Sequence, residues 1–232
     1  MATFVIAHGA WSAGWAWRKM RPLMQAAGHA FFTPSYTGIG ERAHLASPAI
    51  DLDTHIADVL GVLEYEDLRG VVLIGHSYGG MVATGVADRA RERIARLIYL
   101  DAFVPNDGDS VLSLTPARAA PMREAARKNG GFIPPNPMPP DVPEADRAWA
   151  VPKRVGQPLK AFEQPLTLRN GPLTLPRHYV YCTRHMPGDP FRPFLERARR
   201  DGWGVSEIDS SHHPHITMPD GLADLLHAIA GG

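Results

Sequence analysis

In the stretch GVVLIGHSYGG, residues 70–80, Ser77 lies between Gly75 and Gly79 behind an apolar run. A serine hydroxyl attacks a carbonyl only when a base takes its proton, so the pattern calls for a histidine and an orienting carboxylate elsewhere. A G-x-S-x-G motif works where a strand runs into a tight turn that opens a helix, with small neighbours letting the backbones pass. Val71–Gly75 supplies the strand, Gly75, Gly79 and Gly80 the small residues, and Met81–Arg91 the helix. An oxyanion hole takes one backbone N–H from the residue after the serine, here Tyr78, and a second from the loop after an earlier strand. HGAW at His8–Trp11 follows the first apolar run, where Gly9 permits a tight turn and Ala10 can offer its N–H. The base should follow the last strand, and IDSSHHPHITMP there offers His212, His213 and His215. The cluster could be read as a metal site, but no carboxylate or cysteine set with matching spacing accompanies it, so neither metal nor cofactor is expected. Two strand-end carboxylates could serve as the acid, Asp101 in YLDAFVP and Asp189 in MPGDPF.

These residues need a scaffold that brings distant turns together. Six apolar runs, each bounded by Gly, Pro or polar residues, read as strands: Thr3–His8, His29–Thr33, Val71–Gly75, Leu97–Asp101, Tyr179–Cys182 and Gly204–Ile208. They are continuously apolar rather than alternating, as strands buried on both faces of a parallel sheet are. Helical stretches fall between them at Trp15–Ala27 closed by Gly28, Thr54–Leu63 behind Asp53 as N-cap, Met81–Arg91, Phe191–Arg200 and Gly221–Ala230. The alternation predicts right-handed βαβ units with helices on both faces, in a single α/β domain over 1–232. Between Pro105 and Pro176 the rhythm fails, and 14 of the 22 prolines gather there. Only Ala117–Lys128 and Glu144–Val151 carry helical signals in that region. A sheet element is not expected there; a lid or cap over the site is, with a poorly ordered insertion as the alternative.

The chain has 232 residues, 44% of them hydrophobic, and 24 basic residues against 24 acidic ones. That balance, without runs of like charge, points away from nucleic acid and anionic membranes and toward a small-molecule partner. Cys182 is the only cysteine, so an internal disulfide is excluded, and its apolar surroundings predict a buried thiol. The start MATFVIAHGA lacks a basic, apolar leader, and no stretch approaches the roughly 18 apolar residues of a membrane span. A cytoplasmic location is expected. No internal repeat is present, and the oligomeric state is not readable.

HGAWSAGWAWRKMRPLMQAAGH, GHSYGGM, YLDAFVP, YCT and the terminal histidine loop together resemble the α/β-hydrolase family of plant methylesterases, salicylate-binding protein and hydroxynitrile lyases, nearest to a bacterial esterase branch. The resemblance spans nearly the whole chain outside the proline-rich segment. It implies the α/β-hydrolase fold, no cofactor, and hydrolysis of small to medium uncharged carboxylic esters through an acyl-enzyme on Ser77. The family's catalytic histidine stands seven residues before a proline, which implies His212, counted back from Pro219. The lyases carry threonine at the position of Gly9 and lysine after the catalytic histidine. Gly9 and His213 resemble the esterases instead, which leaves a carbon–carbon lyase and a non-catalytic ligand-binding protein as rivals. Plant members place their acid two residues after C-T, where this chain has His185.

Asp101 is preferred over Asp189 as the acid. It ends the strand next to the nucleophile's own, about 4.8 Å away, and some similar haloalkane dehalogenases place their acid there. Asp189, followed by Pro190 and an amphipathic run, can be explained as a helix cap. Trp11 and Phe103 are expected to wall the substrate pocket, with Trp15 and Trp17 in the core.

Overall fold

The computed structural model describes residues 1–184 and 188–231. The chain begins with β1 (Thr3–Ala7), a 3-10 turn at Gly14–Trp17, α1 (Met20–Ala26) and β2 (Ala30–Phe32). The expected helix over Trp15–Ala27 is thus split. Pro22 has no N–H to donate back to Arg18, so a continuous helix cannot run through this point, whereas a proline in the first turn of α1 costs nothing.

Next come α2 (Leu52–Tyr65), β3 (Val71–His76), α3 (Gly79–Arg89) and β4 (Ile94–Leu100). The N-cap of α2 is Asp51 rather than Asp53: Asp51 Oδ1 accepts from Thr54 N at 2.9 Å and Thr54 Oγ1 at 2.7 Å. Thr54 directs both donors at one oxygen, and Asp53 is left to pair with Arg89 and Gln164.

The segment after β4 holds α4 (Val111–Leu114), α5 (Pro116–Lys128), β5 (Phe132–Ile133), α6 (Glu144–Ala150), β6 (Gln157–Pro158) and α7 (Leu159–Glu163). The two helices expected there are present. The expectation of no sheet element is corrected, because β5 and β6 pair antiparallel, Phe132 with Pro158 and Ile133 with Gln157. A two-residue edge strand can end in proline, since it leaves few ladder bonds to lose. Lys19 Nζ reaches Asp146 Oδ2 at 2.7 Å, and the buried Asp88 carboxylate accepts from Arg169 N at 2.8 Å and Asn170 N at 3.1 Å. The segment is therefore tied to the body of the protein at its middle and near its C-terminal end.

The chain closes with β7 (Arg177–Cys182), α8 (Arg192–Arg200), β8 (Gly204–Ile208), α9 (Pro214–Thr217) and α10 (Pro219–Gly231). The sheet order is β2-β1-β3-β4-β7-β8, with every pairing parallel. Alternate residues feed opposite faces: Phe4 and Ile6 join Trp17, Met20, Leu222 and Leu226, while Val5 and Ala7 join Ile56, Val59, Val82 and Leu195. Helices α1 and α10 thus cover one face and α2, α3 and α8 the other. With β1, β3 and β4 at its centre, the sheet brings the turns after all three to one edge, the place where open parallel sheets bind ligands. Among the described residues no helix is long and apolar enough to cross a membrane.

Candidate active site

Ser77 occupies the turn between β3 and α3 with φ = 56°. For a residue bearing a Cβ this left-handed conformation is strained, and it holds only because the surroundings fix it. Ser77 N donates to Leu100 O at 3.3 Å, and Ser77 O accepts from Gly80 N at 3.0 Å and Phe103 N at 3.2 Å. A Cβ at Gly79 would collide with Ala7 O and one at Gly80 with Phe103 O, so two neighbouring loops pass where only glycine permits.

Asp101 lies one residue past β4, fully buried, also left-handed at φ = 44°. Its Oδ2 accepts from His212 Nδ1 at 2.6 Å and its Oδ1 from Cys182 N at 3.3 Å. The Nδ1–H bond fixes the tautomer, leaving Nε2 of His212 with its lone pair. Phe191 stacks on the His212 ring, centroids 4.9 Å apart and planes 10° apart. Asp189 instead accepts from Tyr181 Oη at 2.6 Å and Phe191 N at 2.8 Å, so it braces the residue that stacks on His212. The cap reading needs adjusting: α8 starts at Arg192 with Phe191 as its N-cap, and Pro193 takes the first-turn position given to Pro190. His185, at the position of the plant acid, lies outside the described residues.

Neither Ala10 N nor Tyr78 N has an acceptor among the described residues, and both residues line the cavity that contains Ser77 and His212. The loop bearing Ala10 is set by His8, whose Nδ1 lies 2.8 Å from Gly9 O and whose Nε2 accepts from Tyr36 N at 3.3 Å. His55 Nδ1 meets Tyr78 Oη at 2.8 Å and stacks on Tyr36, tying the second amide's residue to the same group. His76 Nε2 donates to His212 O at 2.7 Å, holding the His212 backbone from the strand that leads into Ser77. The sequence reading missed these supports. Histidines and tyrosines far apart in sequence carry no shared spacing, though HGAW and GHSYGG did flag two of them.

Burial holds the imidazoles of His8, His55 and His76 neutral, with pKa values lowered to about 3, about 4 and about 3. Their folded values lie below the unfolded one, near 6.5, so below that pH the unfolded chain binds protons that the folded chain refuses. Stability is complete above pH 6.5 and drains as pH falls toward 3, by about 1.4 kcal/mol per pH unit for each histidine. Urea unfolding at pH 7.0 and 5.0 should differ by several kcal/mol; equal stability at the two values would contradict this account.

The cavity has a volume of about 510 Å³. Trp11 and Phe103 line it as expected. Trp11, left-handed at φ = 56°, donates Nε1 to Ile133 O at 2.8 Å and so joins the wall to β5. His213 lines the cavity too, whereas His215 is buried and stacked on Trp17, centroids 4.4 Å apart. Nitrogens of His76, His213 and His215 come within 4.8 Å of one another, a grouping hidden from spacing because His76 comes from the elbow. Trp17 is fully buried, Trp15 packs partly buried beside it, and Cys182 is a buried thiol whose pKa burial and Asp101 push up.

Comparison with known proteins agrees with this architecture. The alpha/beta hydrolase family matches residues 4–225. A carbendazim hydrolyzing esterase from Nocardioides sp. (strain SG-4G) is 40% identical over 99% of this chain and 100% of its own length. Salicylic acid-binding protein 2 of Nicotiana tabacum is 30% identical over 44% of this chain and 40% of its own. Among solved structures, an extracellular alpha/beta-hydrolase from a Paenibacillus species superposes with a TM-score of 0.85 at 24% identity, covering 97% of this chain and 98% of that one. With the parallel sheet, the strained serine turn and these matches in agreement, the chain belongs to the alpha/beta hydrolase family.

Proposed function

We propose that the protein hydrolyses small to medium uncharged carboxylic esters through an acyl-enzyme on Ser77, with His212 as base and Asp101 as the acid that orients it. The protein is a carboxylic ester hydrolase. The observation that carries the residue assignment is the 2.6 Å contact between His212 Nδ1 and Asp101 Oδ2, which leaves Nε2 basic within the cavity that holds Ser77. His212 Nε2 takes the Ser77 proton as the oxygen attacks the ester carbonyl. The N–H groups of Ala10 and Tyr78 receive the oxyanion. His212 then gives its proton to the departing alcohol, and a water deprotonated by His212 releases the acid. Trp11 and Phe103 form the apolar walls of the substrate site, and the segment 105–176 is its lid within a single domain. Ser77 and His212 are not hydrogen-bonded in this structure, a looseness common before substrate binds.

The lyase reading is disfavoured at position 9, where the Cβ of a threonine would come 2.9 Å from His76 Nδ1 and 3.2 Å from Ser77 Cβ. Similarity to a protein named as a carbendazim hydrolyzing esterase supports the ester-hydrolase reading. We place the protein in the cytoplasm on its single, unpaired Cys182, a choice that cell fractionation tests and that the extracellular Paenibacillus neighbour opposes. A panel of p-nitrophenyl and methyl esters is expected to give higher kcat/KM on short or aromatic acyl groups than on long-chain triglyceride emulsions. The reverse order would defeat the substrate assignment.

A further inference from the structure

The proline-rich segment touches the oxyanion residues at three points. Ile133 and Gln157 are register partners in the β5–β6 ribbon. Ile133 O accepts from Trp11 Nε1 at 2.8 Å, and Gln157 Oε1 accepts from Trp11 N at 3.4 Å. One ribbon thus grips both the indole and the backbone of the residue that follows Ala10. Phe162, in α7 directly after β6, meets Trp11 edge-on with ring centroids 5.9 Å apart and packs on Tyr78 at 5.3 Å. Its ring therefore contacts the residue after one oxyanion donor and the residue that carries the other. Gly9 brings the same loop against the nucleophile, since a Cβ there would lie 3.2 Å from Ser77 Cβ.

Trp11 has φ = 56°, and a strained backbone of this kind persists only where its surroundings over-determine it. Gln157 is 1% exposed, and its Nε2 has no partner among the described residues. Leaving a buried amide half unpaired is unfavourable, so an apolar residue of equal length would suit stability better. The bond to Trp11 N is the one polar contact of this side chain among the described residues, and holding Trp11 is the role it leaves to Gln157. Ala10 N itself meets no acceptor among the described residues, so the direction of its N–H is set by the residues on either side. On one side His8 Nδ1 donates to Gly9 O at 2.8 Å. On the other, both hydrogen bonds to Trp11 come from the lid segment.

We propose that the β5–β6 ribbon clamps the oxyanion loop in its working geometry, with Gln157 as a positioning residue that acts through Trp11 on the Ala10 N–H. The proposal rests on the ester-hydrolase reading and its oxyanion hole. A misdirected donor weakens the transition state and leaves the ground state alone, because the oxyanion exists only after attack. The test compares wild type with Gln157→Met, which keeps the side chain's length and removes its acceptor, and with Trp11→Phe, which removes the indole donor. Each is assayed for kcat/KM on p-nitrophenyl acetate and for inhibition by phenethyl trifluoromethyl ketone and by phenethyl methyl ketone. Ser77 Oγ adds to the fluorinated carbonyl while its proton passes to His212, giving a hemiketal oxyanion in the hole; the methyl ketone binds without adding. In Gln157→Met, kcat/KM is expected to fall about tenfold and the Ki of the fluorinated ketone to rise by the same factor, short of the hundredfold or more that outright loss of a donor brings. The Ki of the methyl ketone should stay within about twofold. Trp11→Phe should shift the ratio of the two Ki values in the same direction. Equal shifts for both ketones, or an unchanged ratio, overturn the clamp even where activity drops, since a purely structural role moves both together. If Gln157→Met fails to fold, the ratio in Trp11→Phe decides alone. A wild-type enzyme that neither hydrolyses p-nitrophenyl acetate nor binds the fluorinated ketone more tightly than the methyl ketone fails at the underlying reading, and the clamp falls with it.

Discussion

Ser77→Ala is expected to lower kcat for ester hydrolysis by about 10⁴ to 10⁶ while leaving the fold intact. The loss is large because the residual oxyanion site and binding energy cannot replace a covalent intermediate; only uncatalysed attack by bound water remains. The fold should survive because Ser77 Oγ makes no hydrogen bond among the described residues, and the turn is held by the backbone contacts of Ser77 with Leu100, Gly80 and Phe103. Alanine bears the same Cβ at φ = 56° as serine does, so the strain is unchanged. The pure variant should keep the wild-type circular dichroism and lose fluorophosphonate labelling. Retention of more than a few per cent of activity would sink the acyl-enzyme mechanism.

Asp101→Asn should cost on the order of 10⁴ in kcat, and Asp189→Asn no more than about tenfold. The asymmetry follows from what each carboxylate holds. Asp101 receives Cys182 N–H on one oxygen and His212 Nδ1–H on the other. An asparagine there keeps its carbonyl toward the amide of Cys182 and turns its NH2 toward His212. The ring must then accept at Nδ1 and carry its proton on Nε2, the nitrogen required to take the serine proton. Asp189 receives Tyr181 Oη–H and Phe191 N–H, so its variant acts on His212 through the aromatic ring that stacks on it. Both variants should be assayed on one ester at one pH, with folding checked by circular dichroism. A near-normal Asp101→Asn beside a crippled Asp189→Asn reverses the assignment of the acid.

Much of this arrangement was legible in the chain because local chemistry and global fold agree along it. The apolar run before Ser77 could hardly be other than a buried strand, and the glycines at 75, 79 and 80 have backbone neighbours that admit nothing larger. Asp101 could be singled out because a parallel sheet fixes which strand ends are adjacent. What stayed hidden depends on contacts between segments far apart in sequence. Asp141, whose Oδ2 accepts from Ser211 N at 3.2 Å, sits 70 residues away from it, inside IPPNPMPPDVP, where no periodicity announces direction or depth. His215 looks like a loop histidine until Trp17, on the opposite end of the chain, supplies the ring it stacks on. The pairing of β5 with β6 rests on two residues a side, too short for any alternation to register.

Trp11, Ser77 and Asp101 are three of the four non-glycine residues with positive φ among those described, and all three face one cavity or its histidine. Each such conformation costs roughly 1–3 kcal/mol that glycine would not incur. Selection of variants for heat resistance alone would therefore be drawn toward glycine at these codons, and every step in that direction would remove a side chain on which the proposed mechanism depends. At these positions thermal robustness and turnover are opposed traits, and a library screened without a substrate would tend to yield a tougher, inert protein.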